Sequence, residues 1–265
     1  MQVSILGCGW LGIPLAQSLR NNGYTVKGST TSQAKLEALN AVGIEPFIIS
    51  LNADTVSGDI LRFLSNTDVL IIDIPPRSRG TESESFTLKI KNLIPYIEQS
   101  GIKQVLFVSS ISVYGNNEGI ITEDSIPLSE NDSGKQLLET ERLLQNNNSF
   151  KTTVLRFAGL IGLNRHPVNH LAGKENLPNP NASINLIHQK DCITIIEKII
   201  EKNTWGETFN AAAPFHPIRK EYYTQKAIEL GLIPPTFNDD KNSRGKIISS
   251  KKLINILDYH FSSLV

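Results

Sequence analysis

The sequence has little of what a metal-binding, disulfide-bonded, membrane-spanning or nucleic-acid-binding protein needs. It contains two cysteines, Cys8 and Cys192, in unrelated contexts and without a CxxC spacing. Lys plus Arg and Asp plus Glu number 26 each, so no basic excess is present to meet a nucleic acid or an anionic membrane. No uninterrupted apolar run approaches the ~20 residues that span a bilayer. We therefore expect a cytoplasmic protein whose partner is a small molecule.

Apolar strand-like runs alternate with helix-period segments over the first 160 residues. Several runs are nearly continuous in Val, Ile, Leu and Phe, as in parallel strands buried on both faces. The predicted strands are 3–7, 25–30, 45–50, 69–74, 104–110 and 153–159, and the predicted helices between them are 10–20, 32–42, 56–66, 84–100 and 134–147. This alternation predicts an α/β fold with a Rossmann-type, doubly wound parallel sheet.

The composition changes after residue 160. The segment 162–183 is rich in Asn, Gly and Pro and is expected to be a long loop, with helices following near 189–202 and 218–231. We therefore expect a sheet domain over residues 1–160 and a smaller lobe over residues 161–265 packed on it.

The stretch GCGWLG follows the first predicted strand and opens the first predicted helix. In this context a GxGxxG pattern predicts a dinucleotide-binding loop. Gly7 permits the tight turn, Gly9 lets backbone amides approach a pyrophosphate, and Gly12 lets the helix pack closely. Trp10 and Leu11 join them as candidate cofactor-binding residues. A plain strand-to-helix turn is the alternative.

Hydroxyl groups follow the second predicted strand, where an NAD site usually places an acidic residue. The stretch KGSTTSQAK has no acid before Glu37, and Lys27 and Lys35 flank its hydroxyls. This composition suits a 2′-phosphate better than a bare ribose diol, so NADP is favoured over NAD. Capping of the next helix by Thr31 or Ser32 is the alternative explanation. The candidate cofactor-binding hydroxyls are Ser29, Thr30 and Thr31.

Four further stretches resemble the extended branch of the short-chain dehydrogenase/reductase superfamily, the NAD-dependent epimerase/dehydratase-like proteins. They are VLFVSSISVYG (105–115), ENDSGKQLLETE (130–141), TVLRFAGLIG (153–162) and INLIHQKDCITII (184–196). The chain is similar to this group over almost its whole length, and within it to the atypical YeeZ-like subgroup. The resemblance implies an NAD(P)-dependent oxidoreductase or epimerase-like enzyme acting on a small polar or sugar-derived substrate.

Members of this superfamily use a serine at the end of the fifth strand, a tyrosine that moves the proton, and a lysine four residues after the tyrosine. The lysine is needed because a tyrosine with a pKa of ~10 is a poor base at neutral pH. By resemblance, Ser110 matches the serine and Lys135 matches the lysine, which in the superfamily also holds the nicotinamide ribose of the cofactor. Asn131 stands where the tyrosine is expected, and an amide does not transfer a proton in this role.

Three interpretations of this missing tyrosine stay open. In the first, another group moves the proton; the candidates are Tyr114, Lys135, His166 and His188. In the second, the chain binds a nucleotide without turnover, as a sensor or regulatory protein. In the third, it performs different chemistry with a tightly held cofactor. The alternatives are a packing role for Tyr114 and a solvated helix position for Lys135.

The stretch DIPPRSRG ends the fourth predicted strand at the edge where ligands bind in such sheets. We expect Pro75 to form a rigid wall beside the cofactor and Arg77 to hold an anionic substrate group, with an exposed polar turn as the alternative for Arg77.

By resemblance, the loops after residue 160 help to form a substrate pocket. This adds His166, Asn185, His188 and Arg219 as candidate substrate contacts. Asp191 is expected to cap the helix that follows. No metal site is expected, because Pro167 interrupts any helix that would align two nearby histidines. The resemblance also implies a possible homodimer formed through the predicted helices 84–100 and 134–147.

Overall fold

The computed structural model of the chain describes residues 1–76, 85–240 and 245–262. The strands are β1 (Gln2–Leu6), β2 (Thr25–Thr30), β3 (Glu45–Ile48), β4 (Ser50–Leu51), β5 (Val56–Ser57), β6 (Val69–Ile72), β7 (Gln104–Ser110), β8 (Gly119–Ile121), β9 (Lys151–Phe157), β10 (Gly159–Ile161), β11 (Leu186–His188), β12 (Thr208–Ala211) and β13 (Lys246–Ile248). The helices are α1 (Gly12–Asn21), α2 (Leu36–Ala41), α3 (Ile60–Leu64), α4 (Phe86–Ser100), α5 (Asp132–Gln145), α6 (Val168–Leu171), α7 (Gln189–Glu201), α8 (Arg219–Glu229) and α9 (Lys251–Leu257).

The centre of the molecule is a seven-stranded parallel sheet in the order β12-β9-β7-β6-β1-β2-β3. Strand order runs outward from β1 in both directions, which is the arrangement of a doubly wound sheet. The whole of β6, Val69–Ile72, has no exposed surface, as its continuous apolar sequence predicts. The predicted fold class is confirmed. The strand order reverses between β1 and β6, and a crevice at their carboxyl ends is where such sheets bind ligands.

The C-terminal residues build part of this sheet as well as a smaller core of their own. β12 was not predicted from the sequence, yet it forms one edge of the sheet, paired with β9 so that Phe209 lies opposite Leu155. The smaller core consists of Ile161, Val168, Ile184, Leu186, Tyr223 and Ala227. The predicted loop 162–183 runs through this region and contains the short helix α6. No helix in the described part of the chain has the length and apolar character needed to cross a membrane.

Candidate functional site

The glycine-rich loop joins β1 to α1 at the carboxyl edge of the sheet. Gly7 has a φ of +113°, and a Cβ there would lie 2.3 Å from the carbonyl oxygen of Asp73, so only glycine fits. A Cβ on Gly12 would lie 2.3 Å from the carbonyl oxygen of Gly7, so this glycine allows α1 to begin close against the loop. A Cβ on Gly9 would meet nothing within 4 Å. The loop therefore has open space at Gly9, where a ligand can approach its backbone.

Two adjoining cavities open at this edge, and the first has a volume of about 400 Å³. Its lining includes these predicted residues: Gly7, Gly9, Ser29, Thr30, Thr31 and Pro75. The Ser29 hydroxyl accepts a hydrogen bond of 3.0 Å from the Gly7 N–H, which ties the end of β2 to the loop. Lys35 also lines this cavity, and Asp73 is the one carboxylate among its described lining residues.

The second cavity, of about 520 Å³, continues from the first and shares Gly9, Asp73, Ile74 and Pro75 with it. The predicted residues Trp10, Leu11 and Ser110 line it. The Ser110 hydroxyl accepts a 3.1 Å hydrogen bond from the Ser112 N–H, because it caps the short 3₁₀ turn after β7. The lining also includes Ser112, Ser133, Leu137 and Arg165, which no sequence motif singled out.

Helix α5 faces the second cavity through Ser133 and Leu137, which are four residues apart and so lie on one helix face. Asn131 is the N-cap of this helix, and its side-chain oxygen accepts a 2.8 Å hydrogen bond from the Gly134 N–H. Lys135 is exposed and is not among the lining residues of either cavity. The motif residues singled out on this helix are therefore not brought to the cavity.

Tyr114 is fully buried beneath the site rather than in it. Its hydroxyl donates to Asn210 Oδ1 at 2.9 Å and accepts from Arg156 Nη1 at 2.7 Å. Arg156 in turn forms a buried ion pair of 2.6 Å with Glu141, which also accepts a hydrogen bond from Ser109. Burial raises the pKa of Tyr114 despite the opposing charge of Arg156. This network joins β7, α5, β9 and β12, and it contributes to the core.

The histidines among the predicted substrate residues make contacts away from both cavities. His166 Nδ1 accepts a hydrogen bond from Val168 N–H, and its Nε2 lies 3.0 Å from the Tyr222 hydroxyl. Burial lowers the pKa of His166. His188 caps α7 through a 3.1 Å bond from the Lys190 N–H. That cap was expected of Asp191, which instead is buried and accepts a hydrogen bond from the Tyr259 hydroxyl.

Asn185 and Arg219 also lie outside the two cavities. The Asn185 side-chain amide donates to the Lys246 carbonyl at 2.9 Å and accepts from the Ile248 N–H at 2.8 Å, so it holds β13 in place. Arg219 donates to the Pro178 carbonyl at 3.0 Å. Arg77 falls outside the described residues.

Two ionisable residues of the cavities were missed: Asp73, which lines both, and Arg165, which lines the second. Asp73 directly follows β6 and is half-buried, with a hydrogen bond from the Gly12 backbone N–H to its carboxylate. Burial raises the pKa of Asp73 to about 8, and the charge of Arg165 and the Gly12 bond oppose this. The Arg165 guanidinium lies 4.9 Å from the centre of the Trp10 ring. The position of Asp73 after a strand was a usable signal, whereas nothing in the sequence places Arg165 against Trp10.

No family model matches the sequence. The chain is 36% identical over 262 residues to Protein YeeZ of Escherichia coli strain K12, an alignment that covers 98% of this chain and 95% of that protein. The chain belongs to the YeeZ family. This confirms the resemblance to the YeeZ-like subgroup.

Solved structures share the fold of this YeeZ-family chain at low sequence identity. MoeE5 in complex with UDP-glucuronic acid and NAD has a TM-score of 0.81 at 19% identity, with 99% of this chain and 94% of that chain covered. A short-chain dehydrogenase/reductase superfamily protein from Agrobacterium tumefaciens with bound NAD has a TM-score of 0.79 at 16% identity, with 100% and 93% covered. The chain therefore shares its fold with these two proteins.

Proposed function

We propose that this chain binds a nicotinamide dinucleotide across the two cavities and uses it to oxidise or reduce a small polar substrate. The observation that carries the proposal is the glycine loop, whose Gly9 faces open space at the start of α1 where the cavities meet. A backbone free of side chains at a helix N-terminus suits a diphosphate. When bound, the nicotinamide supplies hydride transfer.

The first cavity would hold the adenosine half of the dinucleotide, and we propose NADP over NAD. Thr31 and Lys35 line this cavity, and no acidic residue of the described part lies at the end of β2 to bind a ribose diol. A lysine beside hydroxyls can instead pair with a 2′-phosphate. The two structural neighbours described above bind NAD. The preference of this chain for NADP is therefore tested directly below.

The second cavity would hold the nicotinamide end and the substrate. Ser110 lines it and is placed to bond a substrate oxygen. The positions of α5 that face this cavity are Ser133 and Leu137. We infer that these two residues, rather than Asn131 and Lys135, occupy the places of the superfamily's tyrosine and lysine. On this inference both members of the usual proton-transfer pair are replaced.

The replaced pair favours a second candidate function, a dinucleotide-binding sensor or regulatory protein without turnover. Ser133 and Leu137 provide no group that titrates near neutral pH. Turnover therefore requires the proton to come from elsewhere in the cavity, where Asp73 is the one carboxylic acid among the described lining residues.

The proposal is tested by calorimetric titration of the purified chain, stripped of bound nucleotide, with NADPH and separately with NADH. We expect micromolar dissociation constants, with NADPH bound more tightly. Absence of binding by both would overturn the proposal. Oxidation of NADPH in the presence of a panel of small polar carbonyl compounds then separates the two candidates, because the sensor binds the dinucleotide and oxidises none of it.

A homodimer through α4 and α5 is also proposed, on the resemblance to the short-chain dehydrogenase/reductase superfamily. Sedimentation equilibrium tests this, and a monomer at tens of micromolar chain would refute it.

A further inference from the structure

We propose that Arg165 and Asp73 complete the diphosphate site of this chain: Arg165 binds the diphosphate, and Asp73 donates to it as a neutral carboxyl group, so that binding takes up a proton wherever Asp73 is ionised in the free chain. The inference rests on the proposed dinucleotide binding and assigns two residues to it. It also makes binding sensitive to pH.

Arg165 is held in position before any ligand arrives. Its backbone N–H and carbonyl both bond to Gly162, at 3.0 and 2.8 Å, which fixes a tight turn after β10. Its guanidinium lies over the Trp10 ring, and the Trp10 carbonyl is bonded at 2.6 Å by the Gln189 side chain. None of the ion pairs in the described part of the chain involves Arg165, although it is exposed and lines the second cavity. An arginine placed in this way presents its fork to an anion.

We assign the diphosphate, the anionic group in the middle of the dinucleotide, to the place beside Arg165. Trp10, on which the guanidinium lies, is part of the glycine loop at the start of α1. A diphosphate bound to that loop lies beside the Trp10 backbone. Arg165 would therefore add a charge-assisted bond from the C-terminal part of the chain to a group that the loop holds through N–H donors.

Asp73 lies on the path of the same ligand. It lines both cavities, and its carboxylate already accepts the N–H of Gly12 at the start of α1. An ionised carboxylate at this place would repel a diphosphate. A neutral carboxyl group instead carries an O–H that can donate to a phosphate oxygen. Burial raises the pKa of Asp73 to about 8 in the free chain, so the neutral form is accessible near neutral pH.

Several titratable and charged groups face Asp73 within the described residues, and two of them, Lys35 and Lys89, line the first cavity with it. Arg165 approaches from the turn after β10, Cys8 from the glycine loop and Cys192 from α7. Burial raises the pKa of Cys8 to about 12 and raises that of Cys192 well above its ordinary value, so both thiols are neutral. We assign the proton taken up near pH 8 to Asp73, and the Asp73→Asn variant below tests this assignment.

The role of Arg165 is tested in a Trp205→Phe background, which leaves Trp10 as the single tryptophan and its fluorescence as the signal. Arg165→Gln is expected to weaken NADPH binding about tenfold or more, the typical effect of losing a charged hydrogen bond. Binding of 2′-AMP, which lacks the diphosphate, should not change. Arg219→Gln is the matched control, because Arg219 lies outside both cavities. Equal NADPH affinity in the Arg165 and Arg219 variants would overturn the assignment.

The proton uptake is tested by measuring NADPH affinity from pH 7 to 9.5 at constant ionic strength, above the range in which a phosphate monoester titrates (pKa about 6). Affinity should be level below pH 8 and fall about tenfold per pH unit above it, because the diphosphate raises the pKa of Asp73 further. Asp73→Asn should remove this slope. Calorimetry in two buffers of different ionisation enthalpy should show up to one proton bound per NADPH near pH 8.5.

Each failure has a distinct signature. Absence of NADPH and 2′-AMP binding at every pH would defeat the proposed function itself. NADPH binding with a level pH profile, or with the same slope in Asp73→Asn, would leave dinucleotide binding standing and defeat the proton-linked diphosphate site.

Discussion

The two cavities at the carboxyl edge of the sheet differ in what builds them. The first depends mainly on backbone: Gly7 and Gly12 have no room for a Cβ, and the Ser29 hydroxyl holds the loop. The second depends on side chains that project from β7, α5 and the turn after β10. A backbone-built site is visible in a sequence because geometry demands glycine at fixed positions. A side-chain-built site can change its chemistry at Ser133 and Leu137 while the helix that carries them stays the same.

The largest expected effect is a loss of stability when the buried hydrogen-bond network behind the second cavity is broken. Glu141→Ala leaves Arg156 buried and unpaired, so we expect the free energy of unfolding to fall by about 3–5 kcal/mol. Tyr114→Phe, which removes one hydroxyl from the same network, should cost about 1–3 kcal/mol. Urea denaturation measures both.

The double variant Glu141→Leu with Arg156→Met is the control, because removing both charges should restore most of the lost stability. If Tyr114→Phe kept full stability and lost NADPH oxidation, Tyr114 would have a chemical role that its burial argues against.

The next largest expected effect is a loss of dinucleotide affinity, without loss of stability, when Gly9 is replaced. A side chain at Gly9 meets no neighbour, so Gly9→Val should leave the melting temperature nearly unchanged. The same side chain fills the space that the diphosphate needs, so NADPH affinity should fall about 100-fold or more, or ~2.7 kcal/mol. Calorimetry and thermal unfolding measure the two quantities.

Gly12→Ala is the matched control and should show the opposite pattern, with lost stability, because its Cβ would overlap the Gly7 carbonyl oxygen. Wild-type affinity in Gly9→Val would mean that the ligand does not approach the loop at this position.

The sequence predicted the sheet and the glycine loop because both depend on local patterns. The continuous apolar run of β6 and the GCGWLG stretch each determine their own structure. The segment 56–66 was predicted as one helix, but Gly58 at φ +99° separates β5 from α3, since a Cβ there would lie 2.0 Å from the Ile48 carbonyl. Glycine is thus required at position 58 by its contact with the end of β3, which is a separate element of the chain.

The second cavity could not be predicted in the same way. Motif spacing selected Asn131 and Lys135, whereas the face of α5 that meets the cavity begins two residues later, at Ser133. Which face of a helix meets a cavity depends on how the helix packs on the sheet. Arg165 was missed for a similar reason, because its neighbour Trp10 is distant in sequence.

A gain of catalytic activity is expected from two substitutions on the face of α5 that lines the second cavity. Ser133→Tyr with Leu137→Lys places the superfamily's proton-transfer pair on the face that lines the second cavity. We expect NADPH-dependent reduction of a carbonyl panel to rise at least about tenfold over the parent chain, since positioned proton transfer contributes 10²–10⁴-fold. NADPH titration of the variant checks that the fold and the first cavity are intact.

Asn131→Tyr is the matched control, because it restores the motif spacing with Lys135 at positions outside the cavity, and it should gain no activity. The reverse result, activity in Asn131→Tyr alone, would return the motif residues to the site.

The last expected effect is a pH dependence of stability at Asp73, where the two cavities meet. The folded chain holds the Asp73 proton up to about pH 8, whereas an unfolded aspartate releases it near pH 4. The folded state therefore binds more protons between these values, and the free energy of unfolding decreases as pH rises from about 4 to about 8. Asp73→Asn lacks this loss, so its stability relative to the parent chain should increase by up to about 1.4 kcal/mol per pH unit from pH 5 to 8. The exposed Asp54→Asn is the control and should show no such trend. A constant difference between Asp73→Asn and the parent chain across this range would mean that Asp73 is ionised throughout. A proton taken up with the dinucleotide would then have to bind to another group.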